Sequence, residues 1–135
     1  MKVNTVNYLN SFLIIIYMET PQELEVWYII PALRRELTSS MKISGLKQVE
    51  IANKLGLTKS AVTQYLNHKR ASELAFNNKI KDAINESSKR IRNKLDAIRE
   101  IQLLLNLTRQ ERVVCELHKK LDKDFNGCEV CYDQK

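Results

Sequence analysis

The sequence predicts an all-α protein, and three observations support this prediction. The chain has 135 residues, of which 44% are hydrophobic, and this suits one small domain or one domain with an appendage. Its 3 glycines and 2 prolines leave little material for β-turns, linkers or phosphate-binding loops. Its apolar residues recur mostly at intervals of three, four and seven, the spacing of one helix face. The longest apolar run, Phe12 to Met18, is seven residues, whereas a membrane span needs ~20, so the chain is not expected to cross a membrane.

Residues 1–19 are predicted to be an N-terminal extension. No small-residue cleavage site follows their apolar stretch, so a secretory signal is not expected. Two interpretations of residues 1–17 stay open. Translation begins naturally at Met18, or the segment is a short strand or arm that packs on a partner.

The first helix is predicted to begin at Thr20. This residue can cap the helix, Pro21 suits the first helical position, and Glu23 completes a capping box. Pro31 lies inside the apolar stripe that follows, and a proline there is expected to kink the helix or split it into two pieces.

Residues 48–66 (QVEIANKLGLTKSAVTQYL) predict two short helices that meet at Gly56. The glycine supplies the positive φ that ends the first helix and turns the chain. Thr58 is expected to cap the second helix, whose first turn then exposes its side chains. The apolar residues expected to face inward are Ile51, Leu55, Leu57, Val62 and Tyr65 or Leu66. This arrangement is a helix-turn-helix whose second helix is positioned to enter the major groove of DNA.

The positive charge of the chain is concentrated around these two helices. Five basic residues against one acidic residue give residues 47–70 a net charge of +4, out of +6 for the whole chain. Such a concentration is expected of a surface that binds a polyanion. The alternative is an ordinary solvated helix surface.

The segment resembles the Cro/cI-type helix-turn-helix family, also called the xenobiotic-response-element family, over roughly residues 20–86. The resemblance lies in the spacing of Ala52, Gly56, Val62 and Tyr65, and in Gln48 at the start of the first of the two helices. It implies a sequence-specific transcriptional regulator that binds double-stranded DNA, in which Gln48 touches a phosphate and braces the recognition helix. The sequence departs from the family at position 47, where a lysine stands in place of the usual Ser or Thr cap.

A longer pattern runs from EVWYIIPALRR, at residues 25–35, to the cysteine-bearing tail. It resembles a group of archaeal predicted transcriptional regulators.

Individual roles follow from the chemistry of the side chains. Gln64 can read adenine bidentately, and Lys59 can reach guanine or a phosphate; the alternative for Gln64 is simple exposure to solvent. Lys54, Lys69 and Arg70 are expected to bind phosphate, since nothing orients them toward base edges. The residues predicted to contact DNA are Gln48, Thr58, Lys59, Ser60, Ala61, Thr63, Gln64, Asn67, Lys69 and Arg70.

A second helical stripe follows from Ser72, and no Gly or Pro interrupts the run from Ala71 to Asn126. We expect residues 87–107 to form a connecting helix that dimerises through Ile91, Leu95, Ile98 and Leu105. The protein would then be a homodimer on a palindromic site. The alternative is that these residues belong to the intramolecular core. A second capping box, Thr108 to Glu111, is expected to open one more short helix through His118.

Residues 108–135 form a tail that contains every cysteine of the chain, as Cys115-x2-His118-x9-Cys128-x2-Cys131. Three cysteines and one histidine are an accepted ligand set for structural zinc. Two alternatives stay open: an iron–sulfur cluster used as a sensor, and a bare dithiol or disulfide at Cys128 and Cys131. The archaeal resemblance also implies a Cys/His metal tail.

No catalytic arrangement is apparent in the sequence. It has no Gly-rich phosphate loop, no paired-carboxylate arrangement and no Ser/His/Asp constellation, so we expect a non-enzymatic, cytoplasmic DNA-binding regulator. One alternative is a structural or assembly module that binds a protein partner through the long helix and the metal tail. Another is a redox protein that uses Cys128 and Cys131.

Overall fold

The computed structural model describes residues 20–68, 74–122, 124 and 126–132. Over these residues the chain is helical and contains no strand, so the all-α prediction is confirmed. The helices are α1 (Pro21–Leu24), a π-helical turn (Glu25–Ile29), α2 (Ile30–Ile43), α3 (Gln48–Leu55), α4 (Lys59–Leu66), α5 (Asn78–Arg90), α6 (Lys94–Gln110) and α7 (Val113–Leu121). None of these described helices is both long and apolar enough to cross a membrane. The predicted extension, residues 1–19, and the predicted phosphate ligands Lys69 and Arg70 lie outside the described residues.

The first helix begins where the capping signals place it. The Thr20 hydroxyl accepts a hydrogen bond from the Glu23 N–H at 3.3 Å, and the Glu23 carboxylate accepts one from the Thr20 N–H at 2.9 Å. The helix does not break at Pro31, because the turn Glu25–Ile29 widens into a π-helix in which the Ile30 N–H donates to the Glu25 carbonyl. A proline clashes with the carbonyl four residues before it, and this wider turn accommodates the proline without ending the helix.

Helix α2 lies at the centre of the molecule and contacts α3, α4, α5 and α6. Its core residues Leu33 and Leu37 are completely buried, as are Ile51 on α3 and Val62 on α4. Full burial of one such side chain stabilises the fold by ~1.5–3 kcal/mol. The helices α3 and α4 are therefore held against a rigid support.

The stretch from 87 to 107 is not one helix, contrary to the expectation from its uninterrupted pattern. Helix α5 ends at Arg90, and Ile91 has extended backbone at φ −83° and ψ 113°. A new cap follows, since the Asn93 side chain accepts from the Asp96 N–H at 3.0 Å while the Asp96 carboxylate accepts from the Arg92 N–H at 3.1 Å. The pair Asn93 and Asp96, three residues apart, is the sequence signal for this break.

The predicted helix start at Thr108 is also wrong. Helix α6 continues through Gln110, and Thr108 lies inside it, 1% exposed, with its hydroxyl donating to the Leu105 carbonyl at 2.8 Å. The next helix starts only at Val113, after Arg112 takes left-handed backbone at φ 56°. Burial of Thr108 against the core outweighs the local preference of a threonine for a helix start. The predicted boundary at residue 108 therefore falls within a helix.

Candidate nucleic-acid interface

The helices α3 and α4 are joined by a tight turn at Gly56, and we call residues 47–68 the α3–α4 unit. Gly56 has left-handed backbone at φ 67° and ψ 34°, and the Leu57 N–H donates to the Ala52 carbonyl at 2.9 Å. The Thr58 hydroxyl then caps α4 by accepting from the Ala61 N–H at 3.1 Å. Each of these features depends on neighbouring residues, which is why the sequence signals place both helices correctly.

One face of α4 is buried against the core. Val62 is fully buried and Tyr65 is 2% exposed, as expected from their apolar character. Ala61 is only 7% exposed, which corrects the expectation that its side chain is presented to DNA. Because residues four apart share a helix face, Ala61 faces inward together with Tyr65.

The opposite face of α4 is polar and open. Lys59, Ser60 and Gln64 are exposed, and Thr63 is half-buried beside them. These four side chains line a shallow concavity. Thr58 before the helix and Asn67 after it are exposed as well. The structure thus brings most of the predicted DNA contacts to one continuous side of α4.

Gln48 links the two helices of the unit. Its side-chain oxygen accepts a hydrogen bond from the Thr63 hydroxyl at 3.0 Å, and the same hydroxyl lies 3.1 Å from the Lys59 carbonyl, its alternative acceptor. Gln48 is therefore in place to brace α4. At the start of α3, the Glu50 carboxylate accepts from the Lys47 N–H at 2.8 Å. The Lys47 ammonium cannot itself accept a bond, so only this reciprocal half of a capping box forms.

The charge of the unit is positive, with three lysines against the single acid Glu50. Lys47 and Lys59 are exposed. Lys54 is half-buried, and its ammonium donates to the Ile91 carbonyl at 3.4 Å. This contact turns Lys54 toward the junction of α5 and α6, a position that sequence reasoning did not anticipate.

Lys94 is a neighbour of the unit that the sequence did not reveal. A methyl group placed on Gly56 would lie 2.9 Å from the Lys94 Cγ, so the lysine stem covers the turn.

Two arginines near the start of α6 are paired with Asp96. Its carboxylate accepts from Arg92 at 3.0 Å and from Arg99 at 2.8 Å. Hydrogen bonds from Arg92, followed by one from Arg99, hold the pKa of Asp96 at about 2. Asp96 thus stays ionised and orders the start of α6.

The four residues predicted to form a dimer interface do not share one exposed face. Leu95 and Ile98 are 72% and 51% exposed on α6. Ile91 and Leu105 are 2% and 3% exposed and belong to the intramolecular core, which corrects their assignment as dimer contacts. Ile91 has extended backbone and lies before the start of α6. Its spacing of four residues from Leu95 therefore does not place the two side chains on the same helix face.

The cysteine tail lies beside α7, with Cys131 near Cys115. Cys115 on α7 is half-buried, and His118, one turn later, is buried. Partial burial, followed by the neighbouring Cys115 and Cys128, raises the pKa of the Cys131 thiol. Within the part of the chain that the structure describes, no three His, Cys, Asp or Glu side chains are placed to hold a metal ion. The zinc and iron–sulfur sites therefore stay predictions from the sequence.

An ion pair between a buried carboxylate and a half-exposed arginine joins the π-helical turn to α6. Glu25, in the π-helical turn, is 5% exposed, and Arg109 donates to both of its oxygens, at 2.7 and 3.0 Å. The two residues are 84 positions apart, so no local sequence signal could have paired them. A bidentate ion pair of this kind fixes the orientation of the two side chains as well as the distance between them.

Comparison of the chain with protein-family models, with curated proteins and with solved structures found no significant match. The candidate interface is accordingly interpreted from its own residues.

Proposed function

We propose that the α3–α4 unit is a helix-turn-helix and that the protein is a sequence-specific transcriptional regulator that binds double-stranded DNA. The observation that carries this proposal is the two-sided character of α4. Its apolar side is buried, and its polar side, Lys59, Ser60, Thr63 and Gln64, is open over the first two turns. A recognition helix needs this division, because it must be held rigidly by the protein while its N-terminal residues reach base edges.

The side chains on the open face suit the major groove. The amide of Gln64 can donate to N7 and accept from the N6 amino group of adenine in one planar contact. Lys59 can donate to guanine or to a phosphate, and the Ser60 hydroxyl can donate to either partner. The Thr63 hydroxyl gives its proton to Gln48, so toward DNA it can accept from a base amino group. Gln48 holds Thr63 from the neighbouring helix, which supports a fixed geometry for the contact.

The charge of the unit supports binding to the backbone of DNA. Lys47 and Lys59 are exposed, and the one acidic side chain, Glu50, is engaged by the Lys47 N–H. Affinity should consequently fall with salt by ~0.9 log units per tenfold increase for each phosphate neutralised.

The protein acts, in this proposal, as a homodimer through Leu95 and Ile98. Both are large apolar side chains on the exposed face of α6, where a second copy could cover them. Two copies would present their recognition helices to half-sites about one helical turn apart, ~34 Å.

The test is selection of preferred sites from random double-stranded DNA, followed by fluorescence anisotropy with variants. Gln64→Ala should weaken binding to the preferred site by roughly 5- to 150-fold and relax the preference at one base position. Gln22→Ala is the matched control, because Gln22 is an exposed glutamine on α1, outside the α3–α4 unit and outside α6. The proposal is refuted if no sequence preference emerges, or if Gln64→Ala and Gln22→Ala bind alike.

A further inference from the structure

We propose that Cys115 and Cys131 form an oxidant-sensitive thiol pair, which a peroxide converts into a disulfide joining α7 to the C-terminal tail. This modification site is independent of the DNA-binding proposal. It also differs from the dithiol alternative of the sequence analysis, which paired Cys128 with Cys131.

The two thiols share one cavity. Cys115 and Cys131 both line a cavity of about 440 Å³, together with Pro21 at the start of α1 and with Val114 and Val130. Cys128 is not among the residues that line this cavity. All three cysteines are free thiols, and Cys131 is the exposed one.

Contacts on both sides of Cys131 hold it in this place. The Tyr132 hydroxyl donates to the Arg109 carbonyl at 2.9 Å, at the end of α6. The Arg112 guanidinium lies 4.0 Å from the centre of the Tyr132 ring, and its side chain also pairs with the Glu129 carboxylate. These contacts bind the segment 129–132 to residues 109–112, which lie directly before α7, and α7 carries Cys115.

The electrostatics of the tail support the same placement. Partial burial, followed by the neighbouring Cys115 sulfur, raises the pKa of the Tyr132 phenol. Cys115 therefore lies close to Tyr132, and both Cys115 and Cys128 lie close to Cys131. His118 is buried one turn after Cys115 on α7, and within the described residues no three His, Cys, Asp or Glu side chains are placed to hold a metal ion.

The reaction is balanced with hydrogen peroxide as the oxidant. One thiolate attacks a peroxide oxygen, which breaks the O–O bond and leaves a sulfenic acid and hydroxide. The second thiol then displaces the hydroxyl group from that sulfur, which forms the S–S bond and releases water. The hydroxide takes up the proton that the first thiol lost on ionisation, so two thiols are oxidised, one peroxide is reduced, and two molecules of water result.

The positions of the lysines and arginines allow a direct test on the full chain. Trypsin releases Cys115 in peptide 113–119, and Cys128 and Cys131 together in peptide 124–135. Reduced protein is treated with hydrogen peroxide, alkylated, acidified, digested and measured by mass spectrometry. We expect the two peptides to be joined, and to separate after reduction. Cys128→Ser should retain this linkage, and Cys131→Ser should lose it.

Oxidation in urea supplies the conformational control. In an unfolded chain, loop closure favours the nearer pair, Cys128 and Cys131, so a bond inside peptide 124–135 should dominate there. The same internal bond in the folded protein would overturn the proposal, as would a disulfide between two chains. One equivalent of bound zinc or iron per chain, with all three thiols protected from peroxide, would overturn it too, in favour of a metal site.

Discussion

Substitution of Gly56 by alanine tests the turn on which the candidate interface depends. Gly56 has φ 67°, and an L residue in left-handed backbone costs ~1–2 kcal/mol relative to glycine. The substitution also adds a methyl group 2.9 Å from the Lys94 Cγ, which must move away. The lysine stem is flexible, so the backbone should account for most of the loss in the free energy of unfolding.

The size of the effect can be stated as a urea midpoint. With a slope of about 2 kcal/mol/M, typical of a small domain, a loss of 1–2 kcal/mol lowers the midpoint by roughly 0.5–1 M. Unfolding is followed by far-ultraviolet circular dichroism and, separately, by the fluorescence of Trp27, the only tryptophan in the chain.

A double-mutant cycle with Lys94→Ala separates the two contributions. Lys94→Ala removes the atoms nearest to the new methyl group, so the double variant should lose less stability than the two single losses together, by ~0.5 kcal/mol or more. Gly45→Ala is the control for backbone strain alone, because Gly45 has φ 101° and nothing within 4 Å of an added methyl group. A Gly56→Ala midpoint equal to that of the wild type would refute the positive φ, and strict additivity would refute the contact with Lys94.

Two further predictions concern α6. The double substitution Leu95→Glu and Ile98→Glu should give monomers in light scattering, because it places charges on the two exposed apolar side chains, whereas Asn78→Glu, at an exposed position on α5, should leave the dimer intact. A monomeric wild type at micromolar concentration would exclude this interface. The second prediction follows from the pKa of Asp96, about 2, which lies below its ordinary value of 3.8 because Arg92 and Arg99 stabilise the carboxylate. A group with a depressed folded-state pKa stabilises the protein above its unfolded pKa, so this contribution should be lost as the pH falls from roughly 4 to 2. The stability difference between wild type and Asp96→Asn should shrink over that window, and a difference that stays constant from roughly pH 4 to 2 would contradict this contribution.

Much of the candidate interface could be predicted because it is built from neighbouring residues. The left-handed turn at Gly56, the cap at Thr58 and the polar side of α4 each depend on side chains within a few positions. Local chemistry also places the start of the first helix at Thr20. The prediction of one helix over residues 87–107 failed because two local signals disagreed there. The apolar periodicity continues without interruption and indicates one helix, whereas Asn93 caps a new helix within it.

The amino-acid sequence by itself determined the helical class, the two short helices around Gly56 and the polar row on α4, because these follow from backbone preferences and from periodicity over one or two turns. Only the tertiary structure decided which apolar residues are covered. Ile91 and Leu105 lie in the core and Leu95 and Ile98 outside it, although all four look alike in the pattern. Periodicity shows which side of a helix is apolar and carries no information about what packs on it. Contacts such as that of Glu25 with Arg109, and of Cys115 with the segment 129–132, depend on how distant parts of the chain meet, and this is decided only when the whole core packs.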